Sequence, residues 1–131
     1  MNYDKATESV QLLNLKLDAN GLIPAIIQDD VNDQVLMMAY MSLESLSISI
    51  AEQRTCFWSR SRQELWRKGD TSGHIQLIKS IALDCDNDTL LVRVEQSGAA
   101  CHNGTRSCFI NIGLYSSDGV RESISNSKDR N

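Results

Sequence analysis

Between residues 75 and 85 the apolar side chains Ile75, Leu77, Ile81 and Leu83 fall at odd positions, and an apolar run resumes at residues 90–94 after Asp86-Asn87-Asp88. A strand sends alternate side chains to opposite faces, so this spacing predicts a β-hairpin with an acidic turn. The rest of the chain is read around it. Residues 12–17 alternate apolar and polar and predict a strand; Asp18-Ala19-Asn20-Gly21 is a turn before a second strand at residues 22–27. Residues 29–33 read as a hairpin loop. Residues 35–41 are apolar enough for a strand buried on both faces, although a short buried helix has the same pattern. Ser42 can cap the one convincing helix, with Glu44 in its first turn and Leu43, Leu46 and Ile50 at helical spacing, ending near Gln53. Residues 55–59 predict a strand, 69–73 and 98–107 loops, and 109–114 a last strand. The expected class is α+β, mainly β.

At 131 residues the chain supports one domain, expected over residues 1–115, and residues 116–131, rich in serine and charge, predict a disordered tail. Thirteen Lys and Arg against 17 Asp and Glu give a net charge of −4, which supplies no global positive field for nucleic acid. Any bound anion needs a local cluster. No 20-residue apolar run and no apolar leader are seen, so neither a membrane span nor a signal peptide is expected, and the expected address is cytoplasmic. Reduced there, Cys56, Cys85, Cys101 and Cys108 suit metal or catalytic roles better than disulfides.

Three clusters bear chemistry. Asp84-Cys85-Asp86-Asn87-Asp88 alternates carboxylates with a thiol, and in a strand Asp84 and Asp86 face away from Cys85. Carboxylates suit Mg²⁺ and a thiolate suits zinc; a plain solvated turn is the competing reading. An EF-hand loop starting at Asp84 fails at its sixth position, where Thr89 replaces the required Gly. Cys101 and Cys108 flank a Gly-containing loop with His102, and adding Cys85 makes the three ligands of a catalytic zinc. His102 can be a base, an orienting partner or a fourth ligand. Cys56, in an aromatic strand, fits a small buried hydrophobe better. Ser59-Arg60-Ser61-Arg62, with Trp66 and Lys68, sets guanidinium forks and hydroxyls beside aromatic faces, which suits a nucleotide. Thr71, Ser72 and His74 can add donors to the same ligand. A solvated basic face is the bland alternative.

Taken together, the segments resemble the phosphoribosyl-AMP cyclohydrolases of histidine biosynthesis. The motifs run in order: Gly21-Leu22-Ile23-Pro24, Trp58-Ser59-Arg60-Ser61-Arg62, Glu64-Leu65-Trp66, Lys68-Gly69, Thr71-Ser72-Gly73, Asp84-Cys85-Asp86-Asn87-Asp88, Glu95-Gln96, Ala100-Cys101-His102 and Ser107-Cys108-Phe109. The resemblance implies Mg²⁺ on Asp84, Asp86 and Asp88. It implies Zn²⁺ on Cys101 and Cys108 together with Cys85 of the partner subunit, and hence an intertwined homodimer. Asn103, His74 and Cys56-Phe57 depart from the usual residues, and none is a proposed metal ligand.

The implied reaction is hydrolytic opening of the adenine ring of 1-(5-phosphoribosyl)-AMP at N1–C6. It needs hydroxide at C6 and a proton for the departing nitrogen, a logic shared with zinc base deaminases, whose signature is absent here. Zinc supplies hydroxide near neutral pH, and His102 is the first candidate proton carrier. Arg60, Arg62 and Lys68 are the expected phosphate clamps. The rival reading is a noncatalytic, metal-stabilised nucleotide-binding module with the zinc's fourth position filled.

Overall fold

The alternating run folds into the expected hairpin of β5 (Gln76–Leu83) and β6 (Leu90–Gln96), with Leu83 opposite Leu90. In this computed structural model, which describes residues 1–110 and 113–120, the alternation changes phase within β5. A bulge between Ile78 and Ser80 shifts the register, so Gln76 and Ile78 face the core before it and Ile81 and Leu83 after it. One extra residue in a strand exchanges its two faces. Leu77, expected inside, is therefore 41% exposed, while Gln76 is fully buried.

Strand β6 runs parallel to β1 (Leu22–Asp29), which pairs antiparallel with β2 (Val35–Ser42). Beyond β2 lie β3 (Cys56–Ser59) and β4 (Glu64–Arg67), giving the order β4-β3-β2-β1-β6-β5. The sheet curls into a half-barrel whose far edge returns to the segment before β3. Arg54 bridges to Leu77, Thr55 N–H donates to Gln76 O at 3.1 Å, and Ile78 N–H donates to Gln53 O at 2.9 Å. At this seam the buried polar groups pair with one another. Thr55 Oγ1 donates to Gln76 Oε1 at 2.8 Å, Gln76 Nε2 donates to Gln96 Oε1 at 2.8 Å, and Gln96 Nε2 donates to Ser97 O at 3.0 Å.

Two helices cover one end. As expected, α2 (Leu43–Glu52) is capped by Ser42 and ends at Gln53; the structure adds that Ser42 and Ser45 cap one another reciprocally and that Gln53 takes the left-handed conformation. The second helix, α1 (Tyr3–Gln11), was not expected from the sequence. Asn2 caps it and only Ala6 and Val10 are buried, so the apolar stripe is too thin to read by pattern. Three further expectations are corrected. Residues 12–17 form no strand: Leu12 and Leu13 continue out of α1 as turns, and Asn14 has φ 53°. Strand β2 is not buried on both faces, since Val35 and Met38 are 40% and 44% exposed. Phe109 and Ile110, expected to open a strand at residues 109–114, lie in a 3-10 turn, Cys108–Ile110, and residues 111–112 lie outside the described residues. Beyond it, β7 (Tyr115–Ser116) and β8 (Gly119–Val120) pair, and the rest of the expected tail lies outside the described residues. Among the described residues no helix is long and apolar enough to cross a membrane.

The seam sets a stability test. Gln76→Leu leaves the Thr55 hydroxyl and the Gln96 carbonyl without their buried partner, at an expected cost of about 2–4 kcal/mol in urea unfolding. Leu77→Thr, one residue away on the open face, is expected to change stability by less than about 0.5 kcal/mol.

Candidate active site

A cleft of about 430 Å³ lies between the strap at residues 68–74 and the loop at residues 99–104. The strap leaves β4 through Gly69, whose φ is +88° and where an added Cβ would sit 2.7 Å from Ile75 N and 2.8 Å from the His74 carbonyl carbon. Only glycine fits a chain folded back so closely. Gly73 N–H closes the turn onto Gly69 O at 2.8 Å. Arg54 Nη2 ties the strap down, donating to Lys68 O at 2.9 Å and to Asp70 Oδ1 at 2.8 Å. The ring of His74 lies over Gly98, where a Cβ would approach its Cδ2 to 2.6 Å.

The opposite wall belongs to the cysteine loop. Ala100 N–H donates to Arg106 O, Cys101 N–H to Thr105 O, and Gly104 N–H to Cys101 O, all at 3.0–3.1 Å. Three residues not assigned to the site from sequence, Asp29, Arg106 and Ser107, tie this loop to the β1–β2 turn. Asp29 is 1% exposed; it takes Arg106 Nη2 at 2.5 Å on one oxygen and Val31 N–H at 2.8 Å on the other. Ser107 Oγ donates to Val35 O at 2.7 Å, on the far side of the same turn. Burial pushes the Asp29 carboxyl up, but hydrogen bonds from Arg106, Val31 and Asn32 outweigh it and hold the group below the usual carboxylate range.

Trp66, Lys68, Thr71, Ser72, His74, Cys101 and His102 all line the cleft, so the structure gathers much of the expected site. Inside it, Lys68 is buried and its amine donates to Ala100 O at 2.6 Å, 5.2 Å above the Trp66 ring. Burial lowers its pKa, while the charges of Cys108 and Cys101 draw it back up. The Cys108 thiol is pushed up to about 11 by partial burial, then by a hydrogen bond with Cys101 and that residue's charge. Two thiols that meet beside a cation suit a soft metal, which would replace their shared hydrogen bond by thiolate ligation. Cys85 is exposed in the β5–β6 turn.

The other expected residues lie elsewhere. Arg60 stacks on Tyr40, 4.0 Å from the ring centroid, and lines a separate cleft of about 580 Å³ with Trp58 and Gln63. Ser59 Oγ accepts from Arg62 N–H at 3.3 Å and approaches Ser61 Oγ at 3.5 Å. In the β5–β6 turn, oxygens of Asp84, Asp86 and Asp88 lie within 4.8 Å of one another. A hydrogen bond with Asp84 pushes the Asp88 carboxyl up, and the neighbouring Asp84 and Asp86 charges add to the shift. Crowded carboxylates of this kind fit a hard cation.

Residues 37–110 match the phosphoribosyl-AMP cyclohydrolase family model, spanning the strap, the acidic turn and the cysteine loop. A phosphoribosyl-AMP cyclohydrolase of Bifidobacterium longum is 54% identical over 113 residues, covering 85% of this chain and 86% of that protein. One from Clostridium botulinum is 58% identical over 104 residues, covering 77% and 94% respectively, and one from Chlorobaculum tepidum is 50% identical over 109 residues, covering 83% and 80%. The chain belongs to the phosphoribosyl-AMP cyclohydrolase family. The matched stretch ends at Ile110 and includes Arg106 and Ser107, so the cyclohydrolase match extends to the groups that anchor the cysteine loop.

Because the folded pKa of Asp29 is depressed, its contribution is present above the unfolded value near 3.8 and is lost as pH falls through the lower folded value. Asp29→Asn is expected to lower stability at pH 7 by about 2 kcal/mol and to flatten the acid limb of the stability curve below about pH 4, measured by urea midpoints across pH.

Proposed function

We propose that this chain hydrolyses 1-(5-phosphoribosyl)-AMP at the N1–C6 bond, yielding the formimino-aminoimidazole carboxamide ribonucleotide in histidine biosynthesis. The supporting observation is the single cleft that puts His102 and Cys101 opposite Thr71, Ser72 and His74, with Trp66 on its wall. In this reading Trp66 offers a face to the purine, and the Thr71 and Ser72 hydroxyls orient the ligand. Arg60 and Arg62, outside the cleft, suit the second of two separated phosphates. His102 carries the proton to the departing ring nitrogen.

The active form proposed is a homodimer with one Zn²⁺ and one Mg²⁺ per subunit. Cys101, Cys108 and Cys85 of the partner subunit would hold Zn²⁺; Asp84, Asp86 and Asp88 would hold Mg²⁺. When bound, zinc brings the pKa of water to about 7 and so supplies hydroxide at neutral pH, while Mg²⁺ balances phosphate charge. Everything else is done by side chains: the strap and the cysteine loop fix the ligand between them, and the buried floor keeps bulk water from one side.

Metal content and ring opening, followed by absorbance before and after chelation, test the reading. About one zinc per subunit is expected, with turnover lost on chelation and restored by Zn²⁺ plus Mg²⁺. Zinc without turnover would instead support a nucleotide-binding module, and no zinc would remove the cysteine assignment. His102→Ala is expected to lower kcat by about 10²- to 10⁴-fold. Arg60→Ala is expected to raise KM by about 10- to 100-fold with kcat near wild type; an unchanged KM takes Arg60 out of the phosphate site.

A further inference from the structure

We propose that Lys68 is a positioning residue, its ammonium bracing the cysteine loop from beneath the cleft instead of gripping a substrate phosphate; the proposal rests on the cyclohydrolase reading above. The backbone N–H, the carbonyl and the amine of Lys68 each have a protein partner. Its N–H donates to Thr55 O at 3.1 Å, its carbonyl accepts from Arg54 Nη2 at 2.9 Å, and its amine donates to Ala100 O at 2.6 Å. The residue is 8% exposed, whereas the Arg62 side chain is 59% exposed and held by a long, solvent-screened contact with Glu64 at 3.7 Å. A phosphate-gripping cation has to present its donors to the ligand. The acceptor chosen by Lys68 is informative as well. Ala100 is itself 2% exposed, and its carbonyl belongs to the peptide that leads directly into Cys101.

The amine therefore fixes where Cys101 and His102 enter the cleft, and without it a buried carbonyl has no donor from below. Three ties then act on one loop: Lys68 at its start, and Arg106 and Ser107 at its end. Lys68 is the only one of the three that also lines the cleft. Its contact with Trp66, 5.2 Å to the ring centroid, places the same ammonium over the ring of the aromatic wall.

Lys68→Met keeps the length and apolar stem of the side chain and removes the donor. Expected are a kcat at least about tenfold lower, a KM within about threefold of wild type, and zinc transfer to a chromophoric chelator about tenfold faster. Lys68→Arg serves as the second variant, since it retains charge and phosphate-binding capacity but has a fork too large for a site 2.6 Å from a carbonyl. It should share the kcat loss. A KM raised tenfold or more by Lys68→Met, with kcat and zinc release unchanged and Lys68→Arg near wild type, overturns the proposal and assigns Lys68 to phosphate. A wild-type chain without turnover refutes the cyclohydrolase reading, and the chelator comparison then decides on the brace alone.

Discussion

A sheet that curls back on itself must satisfy polar groups along its seam, and here the chain of Thr55, Gln76 and Gln96 does so within the protein interior. An unpartnered buried amide costs about 1–3 kcal/mol, so the three side chains specify each other's positions closely. Because Gln76 O also accepts from Thr55 N–H and the nearby Ile78 N–H donates to Gln53 O, the seam fixes where β5 meets the segment leading into β3. Lys68 N–H bonds to Thr55 O, so the floor of the cleft is laid directly on this seam. The bulge in β5 is what turns Gln76 inward, and so the network depends on one extra residue in a strand.

On that floor, two short irregular segments form the walls, each held by an arginine. Arg54 binds the strap through Lys68 O and Asp70, and Arg106 binds the cysteine loop through Asp29. The two pairs differ in burial. Asp70 is 57% exposed and its ion pair is screened by water, whereas Asp29 is nearly inaccessible and has no solvent substitute for Arg106. A loop that carries thiols and an imidazole is thereby given a fixed geometry without regular secondary structure.

Much of this architecture was legible in the residues. The hairpin, the capped helix from Ser42 and the cleft residues from Trp66 to His102 follow local rules of alternation, capping and turn chemistry. What escaped is nonlocal. No periodicity announces that Asp29 and Arg106 meet, or that Gln76 replaces Leu77 in the core, since a bulge is decided by the partner strand. Helix α1 escaped because its two buried residues make too faint a stripe, and its continuation past Gln11 mimicked a strand. Lys68 read as a phosphate clamp in sequence, and only the fold shows the carbonyl that its amine meets.

The Asp29–Arg106 pair joins positions separated by 77 residues into one unit of inheritance. Loss of the Arg106 charge strands a buried carboxylate, and loss of Asp29 removes the group that Arg106 and the Val31 N–H both meet, so a change at either position is felt at the other. The β1–β2 turn, which looks like a spare exposed hairpin tip suited to insertion or tagging, is in effect the outer hinge pin of the reaction cleft. Engineering it would be felt at His102, although no residue of the turn lines that cleft.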